Sequence, residues 1–325
     1  MLQFCRFVCM RFIMAILTLL MVTLIIFTLM ELSPVQYGDR CLNYMRFMQI
    51  PILLEEPVII RWVNWVENIF VHGDFGFSCV LRKPINLLLG TKFWISLGLC
   101  LSSLLLAYLI AIPVGIYSAI ANRRALNGII RFFSYIGLAI PNFLFALIII
   151  LVFTVFYGKT PTGLLSREYH DVAWSYEKFV NFLSHVWIPV IVLGWSATAI
   201  ALQTVRALIS DEYRKPYVTA ARARGLSGQQ LIWRYPARHA FGPIINSLGF
   251  DLNRVFNELP VVALILTLTE AGALLLDSLL RSNDQALASA ILFLLTASII
   301  GLNFLTDIIL AMFDPRFRRG LYRSI

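Results

Sequence analysis

The chain has 325 residues, of which 59% are hydrophobic and only 14% are charged, and its net charge is +9. A soluble domain usually carries about 25% charged residues, so this composition excludes a large soluble domain and indicates an all-α protein that crosses a membrane several times. Basic residues accumulate in the cytoplasmic loops of such proteins, and the positive charge therefore needs no nucleic-acid partner.

Six apolar segments are long enough to cross a hydrocarbon layer of about 30 Å. The first, residues 10–31, is too long for a cleaved signal peptide and is followed by no small-residue cleavage pattern, so we expect it to remain in the protein. A polar and amphipathic segment, residues 32–92, comes next. The other predicted spans are residues 93–120, 131–157, 185–208, 242–268 and 286–312.

The distribution of lysine and arginine predicts the orientation of these spans. Basic residues are concentrated before the first span, in residues 209–241 and in residues 314–325. The positive-inside rule then places both termini and residues 209–241 in the cytoplasm, and residues 32–92 on the opposite side.

No catalytic, metal or cofactor site is predicted. The five cysteines and four histidines show no metal-ligand spacing, and the chain contains no phosphate-binding G-x-x-x-x-G-K-[ST] loop. Cys41 and Cys79 both fall in residues 32–92. A disulfide requires their Cα atoms to lie within about 7 Å, so the sequence leaves open whether they form one.

The basic segment 209–241 is the best candidate for a partner site. It begins with good helix formers, stops at Gly225 and restarts after Gly228, which predicts two short helices joined by a turn. Its small residues allow close approach of a protein surface, and its arginines can bind acidic groups of a protein or of membrane lipid. The candidate residues are Thr219, Ala220, Ala221, Arg222, Ala223, Arg224, Gly225, Arg234 and Arg238.

The fifth predicted span is unusually polar. Asp251, Arg254 and Glu258 are spaced three and four residues apart and therefore share one helix face. Asn253 and Asn257 lie beside them. Charge at membrane depth is usually paired or lines a cavity, so these five residues form either a wall of a translocation path or an internal ion-pair ladder, and we expect Arg254 to pair with one of the two acids.

Several short strings, taken in order, resemble one family. Residues 219–221 read Thr-Ala-Ala where an E-A-A-x-x-x-G cytoplasmic loop has Glu-Ala-Ala, and Gly225 keeps its glycine. Residues 73–78 resemble a G-D-[LF]-G-x-S string before the second span, and residues 314–316 are a closing Asp-Pro-Arg. Together the strings resemble the dipeptide/oligopeptide-type permease subunit of a bacterial ATP-binding-cassette (ABC) importer.

The resemblance implies a six-helix, methionine-importer-like fold in the inner membrane, with ATP hydrolysed by other subunits. It implies four partners: a homologous second permease, two ATPase subunits and a periplasmic substrate-binding protein. The expected divisions are residues 1–92 for the first span and periplasmic segment, 93–313 for the permease core with its coupling loop at 209–241, and 314–325 for the tail. A secondary transporter or a membrane scaffold remains the alternative.

One segment departs from the family pattern. Residues 268–272 read Leu-Thr-Glu-Ala-Gly where the family has W-P-G-L-G. Because this segment and the charged fifth span both lie where the path is expected, the gating detail and the substrate stay open. A peptide is the commonest substrate of this branch, and nickel, opines, glutathione and sugars are the others.

Overall fold

The computed structural model describes residues 2–31, 56–78, 80–121, 124–169, 172–282 and 284–313, which are almost entirely helical. A two-stranded antiparallel sheet joins β1 (Phe77–Ser78) to β2 (Lys83–Pro84). The helices are α1 (Leu2–Glu31), α2 (Val58–Glu67, continued by a π-helical turn, Asn68–His72), α3 (Ile85–Ile120), α4 (Arg124–Ala139), α5 (Asn142–Tyr157), α6 (Tyr176–Tyr213), α7 (Pro216–Ala223), α8 (Gly228–Arg234), α9 (Pro236–Ile265), α10 (Ala271–Leu280) and α11 (Gln285–Phe313), with a 3₁₀ turn at Arg167–Tyr169.

The prediction of an all-α protein that crosses a membrane several times is confirmed. Among the described helices, α1, α3, α6 and α11 are long and apolar enough to span a bilayer. The predicted third span, residues 131–157, is instead two helices, α4 and α5, bent by 103° at their junction. Pro141 causes the break, since it has no backbone N–H to donate and it disfavours helical geometry at the residue before it.

The predicted fifth span corresponds to α9, whose 30 residues extend about 45 Å. Because it contains charged residues, α9 is less hydrophobic than the other long helices. The described helices thus contain four apolar spans, or five if the bent pair is one. A total of six and the cytoplasmic position of the termini stay predictions. Cys41, Cys79 and residues 314–325 lie outside the described residues, as does most of the segment between α1 and α2.

Helices α3 and α6 pack along each other and form the centre of the core. Small residues make this close packing possible, as they do in many membrane helix pairs. Gly194 lies where an added Cβ would be 3.0 Å from the backbone oxygen of Ser103. Four alanines on these two helices are completely buried: Ala107, Ala111, Ala197 and Ala201. Helix α9 packs on both α6 and α3. Helices α6 and α9, which precede and follow residues 216–234 in the chain, are therefore in direct contact.

One buried carboxylate caps the start of the short helix α10, and a second lies between α10 and α11. Glu270, which has no exposed surface, accepts hydrogen bonds from the backbone N–H groups of Gly272 (2.8 Å) and Ala273 (2.9 Å) and from the Ser96 hydroxyl of α3. Beyond the helix, Asp284 accepts from the Ser78 hydroxyl of β1. The bonds of Glu270 therefore link the start of α10 to α3, and those of Asp284 link β1 to the start of α11 through the Leu287 N–H (3.1 Å). Both carboxylates need these donors, because a buried carboxylate without them would be costly.

Candidate functional site

Residues 216–234 form a helical hairpin between α6 and α9. Helix α7 begins at Pro216, whose fixed φ suits the first helical position, and ends before Gly225. Gly225 has φ +89° and Gly228 has φ +58°, and both values lie in the left-handed region that favours glycine. The predicted pair of short helices joined by a glycine turn is therefore confirmed.

The hairpin has a small apolar core of its own. Val218 and Ala221 are fully buried and pack with Leu231 of α8, which is 2% exposed. Three residues separate Val218 from Ala221, so both lie on the face of α7 that meets α8. This placement corrects one expectation: Ala221 holds the two helices together and does not belong to an exposed docking face.

Polar contacts fasten the hairpin to the end of α6. Glu212 accepts a hydrogen bond from Lys215 Nζ at 2.5 Å and another from the Tyr217 hydroxyl. Burial, followed by the nearby Glu212 carboxylate, raises the pKa of the Tyr217 hydroxyl. The Arg222 guanidinium lies 5.0 Å from the centre of the Tyr213 ring, a cation–π distance. Arg222 therefore interacts with its own chain while its side chain remains exposed.

The remaining candidates of this segment are all exposed: Thr219, Ala220, Ala223, Arg224, Gly225, Arg234 and Arg238. Trp233 on α8, which the sequence reasoning missed, is 61% exposed and stands among them. Trp233 follows the buried Leu231 by two residues, which is about 200° around the helix, and this spacing was the signal that Trp233 lies on the opposite, exposed face of α8. The exposed surface of the hairpin thus consists of small side chains, arginines and one large aromatic ring.

The polar residues of α9 do not form the predicted ion-pair ladder. Asp251 is 3% exposed, and its carboxylate accepts a hydrogen bond of 2.8 Å from the Tyr108 hydroxyl of α3. Ser247 Oγ lies 2.9 Å from the same Tyr108 oxygen. Within the described residues, no ion pair shorter than 4 Å joins Arg254 to Asp251 or to Glu258. The expected pairing of Arg254 is therefore wrong: a tyrosine from another helix supplies the donor to Asp251, and Glu258 forms no ion pair with the guanidinium within 4.0 Å.

The other three candidates on α9 have different surroundings. Asn253 Oδ1 lies 3.5 Å from Asn303 Nδ2 of α11, and both side chains line an open cleft of about 170 Å³ between these helices. Asn257 is exposed. Glu258 is half-buried, and its Oε2 atom has no hydrogen-bond partner among the described residues. Arg254 and Asn257 therefore face outward, Asn253 faces α11, and Asp251 faces α3.

Comparisons with known proteins agree with this architecture. The family described as binding-protein-dependent transport system inner membrane component matches residues 111–319. The oligopeptide transport system permease protein AppB of Bacillus subtilis (strain 168) is 29% identical over 323 residues, which cover 94% of this chain and 97% of AppB. The inner membrane ABC transporter permease protein YejB of Escherichia coli O157:H7 is 31% identical over 270 residues, 81% of this chain and 72% of YejB.

A solved structure supports the fold. The chain resembles a chain of the MetNI methionine ABC transporter in an inward-facing conformation, with a TM-score of 0.55 and 17% sequence identity. The match covers 71% of this chain and 99% of the other. The two chains therefore share a fold over most of the helical core, as the sequence resemblance predicted.

Proposed function

We infer the function of this chain from one premise: the chain belongs to the family of binding-protein-dependent transport system inner membrane components. It is a membrane-spanning permease subunit of the inner membrane, which confirms the family that the sequence strings indicated. AppB is named for oligopeptide transport, so we assign peptides, or a related small solute, as the substrate.

We propose that the permease works in a complex with a homologous second permease, two ATPase subunits that hydrolyse ATP, and a periplasmic substrate-binding protein. The hairpin 216–234 is the docking site for an ATPase. The observation that carries this assignment is the exposed surface of a hairpin that has its own core and is fixed at both ends. Two residues separate α6 from α7, and Tyr235 alone separates α8 from α9. A movement of the hairpin is therefore transmitted directly to two long helices of the core.

The docking assignment is tested with a bulky residue on the exposed face of α7. Ala223→Trp is expected to abolish co-purification of the ATPase and the substrate-stimulated ATP hydrolysis of the complex, because a large ring keeps the two surfaces apart. Ala125→Trp, at another exposed helical alanine outside the hairpin, is the matched control and should preserve both. Normal co-purification and hydrolysis with Ala223→Trp would remove the hairpin from the ATPase interface.

We further propose six spans, with α9 as the fifth and both termini in the cytoplasm. The positive charge of residues 209–241 supports this orientation. Cys5 and Cys9 of α1 have exposed side chains, whereas Cys79 belongs to the opposite side in this topology. After reduction, a membrane-impermeant thiol reagent should label Cys79 in intact spheroplasts and should label the two cysteines of α1 only after lysis. Labelling of α1 in intact spheroplasts would reverse the orientation.

The polar face of α9 is proposed as part of the translocation path. A charged side chain in a spanning helix is rarely directed at lipid, and it usually faces another protein segment or water. Arg254 and Asn257 are exposed, so their side of α9 is the side we assign to the path and to the second permease. Asp251, Asn253 and Glu258 support this wall from the protein side.

A further inference from the structure

Trp233 is a large aromatic side chain on the surface of the hairpin 216–234. Two neighbours on the same helix, α8, are packed: Leu231 lies in the hairpin core, and Ile232 packs against the main core of the bundle. Successive helical residues are about 100° apart, so Trp233 lies about 150° from the direction midway between these two residues. Its side chain therefore points away from both packed faces, and Trp233 is 61% exposed.

The packing on two sides also holds α8 in place. A tryptophan on an ordered helix loses little conformational freedom when a partner covers it, which favours binding. Tryptophan is among the residues that contribute most to protein–protein interfaces, because its large ring fills a pocket and excludes water. The position of Trp233 is thus suited to an interface anchor.

The rest of the outward face of α8 is polar, which favours a protein partner over lipid. Gln229 and Gln230 precede Trp233 by four and three residues, Arg234 follows it, and all three are exposed. A helix that lies in a membrane surface has a continuous apolar face, and this one has a single apolar ring. An aromatic ring beside an arginine is typical of the centre of a protein interface.

The charge of the hairpin indicates the chemistry of that partner. Residues 216–234 contain three arginines and no acidic residue. Arg224 and Arg234 are exposed, and among the described residues neither belongs to an ion pair. A protein surface that covers them must supply acidic groups, because a guanidinium that loses water without gaining a partner is costly.

We propose that Trp233 anchors the ATPase on this permease. The ring occupies an apolar pocket of the ATPase, and acidic side chains at the border of that pocket bind arginines of the hairpin. This inference rests on the proposed docking of an ATPase at residues 216–234. Trp233 then supplies the largest share of the docking free energy, and the arginines act chiefly on the rate and specificity of association.

Titration of the ATPase onto the two permeases, assembled in lipid nanodiscs, measures the affinity directly. Trp233→Ala is expected to raise Kd by about thirtyfold or more, the usual effect of truncating a dominant interface residue. Trp233→Phe keeps an aromatic ring and should recover part of the lost affinity. Trp94→Ala removes a tryptophan of α3 that is 67% exposed, and this matched control should bind the ATPase like wild type.

Two further measurements separate docking from folding and from charge. Trp233→Ala should leave the thermal unfolding of the permeases without ATPase unchanged, because the ring is exposed. Kd of the wild type should rise with salt concentration, since salt screens exposed charges. Arg234→Gln should weaken this dependence on salt, whereas Trp233→Ala should keep the wild-type dependence.

The docking site and its anchor fail in different ways. If Ala223→Trp prevents docking but Trp233→Ala leaves Kd unchanged, or if Trp233→Ala lowers the unfolding temperature without ATPase, Trp233 is not the anchor and the docking site stands. A wild-type dependence on salt in Arg234→Gln would contradict the acidic border at this arginine. If neither Ala223→Trp nor Trp233→Ala raises Kd, the hairpin is not the docking site, and the inference fails with it.

Discussion

Helices α3 and α6 approach closely at Gly115, and this contact gives a sharp prediction. A Cβ atom added to Gly115 would lie 2.8 Å from Val205 Cγ1 and 3.1 Å from the backbone oxygen of Leu202. Real Cβ contacts are almost never shorter than 3.0 Å. Val205 is 1% exposed and branched at Cβ, so its side chain has no other favourable position. Gly115→Ala must therefore move the two helices apart.

The size of the effect follows from two opposing contributions. Overpacking a core usually costs about 1–3 kcal/mol. Replacing glycine by alanine within a helix stabilises it by roughly 0.5–1 kcal/mol. Gly98, on the same helix, has no atom within 4 Å of an added Cβ, so Gly98→Ala gains only the second contribution. The difference in stability between the two variants is thus the steric contribution alone, about 1–3 kcal/mol.

Thermal unfolding of the purified permease complex in detergent measures this difference. Gly115→Ala is expected to unfold at a lower temperature than Gly98→Ala, which should equal or exceed wild type. The reasoning about close α3–α6 packing fails if the two alanine variants unfold at the same temperature.

Two further predictions concern single buried contacts. Ala221→Glu should unfold the hairpin and lower the yield of folded complex, because a carboxylate does not fit the buried contact between α7 and α8. Ala220→Glu, at the exposed neighbouring position, should leave the yield unchanged. Equal yields of the two variants would contradict the buried position of Ala221. Tyr108→Phe should destabilise the permease by about 1–3 kcal/mol in thermal unfolding, because the carboxylate of Asp251 loses its donor, and unchanged stability would show that this hydrogen bond is unimportant.

The helical hairpin 216–234 was predictable from sequence because its signals are local. Gly225 and Gly228 occupy the two positions that need a positive φ, and a proline begins each of α7 and α9. Such signals act within a few residues, and they fix where helices begin and end. Pro141 is a local signal of the same kind at the break between α4 and α5, but the bend of 103° depends on how α4 and α5 pack against α6.

Contacts between distant segments were not predictable. Helical spacing placed Arg254 on one face with Asp251 and Glu258, and pairing was the natural expectation. The actual partner of Asp251 is Tyr108, 143 residues earlier in the chain, and nothing in the spacing of α9 indicates it. Ala221 shows the same limit, because whether a small residue is exposed or buried depends on the helix that packs over it.

The unusual segment before α10 indicates where differences in substrate should be sought. Residues 268–272 differ from the W-P-G-L-G string of the family, and this difference first suggested a change in the translocation path. Glu270, however, is buried and satisfied: it caps α10 and accepts from the Ser96 hydroxyl, and Ser96 Oγ in turn accepts from the Ala271 N–H at 3.0 Å. A fully buried carboxylate that accepts three hydrogen bonds holds the backbone in place and is out of reach of a solute. Arg254, by contrast, is exposed and in no ion pair among the described residues, so under the proposed path α9, and not the segment before α10, is where substitutions should change the substrate.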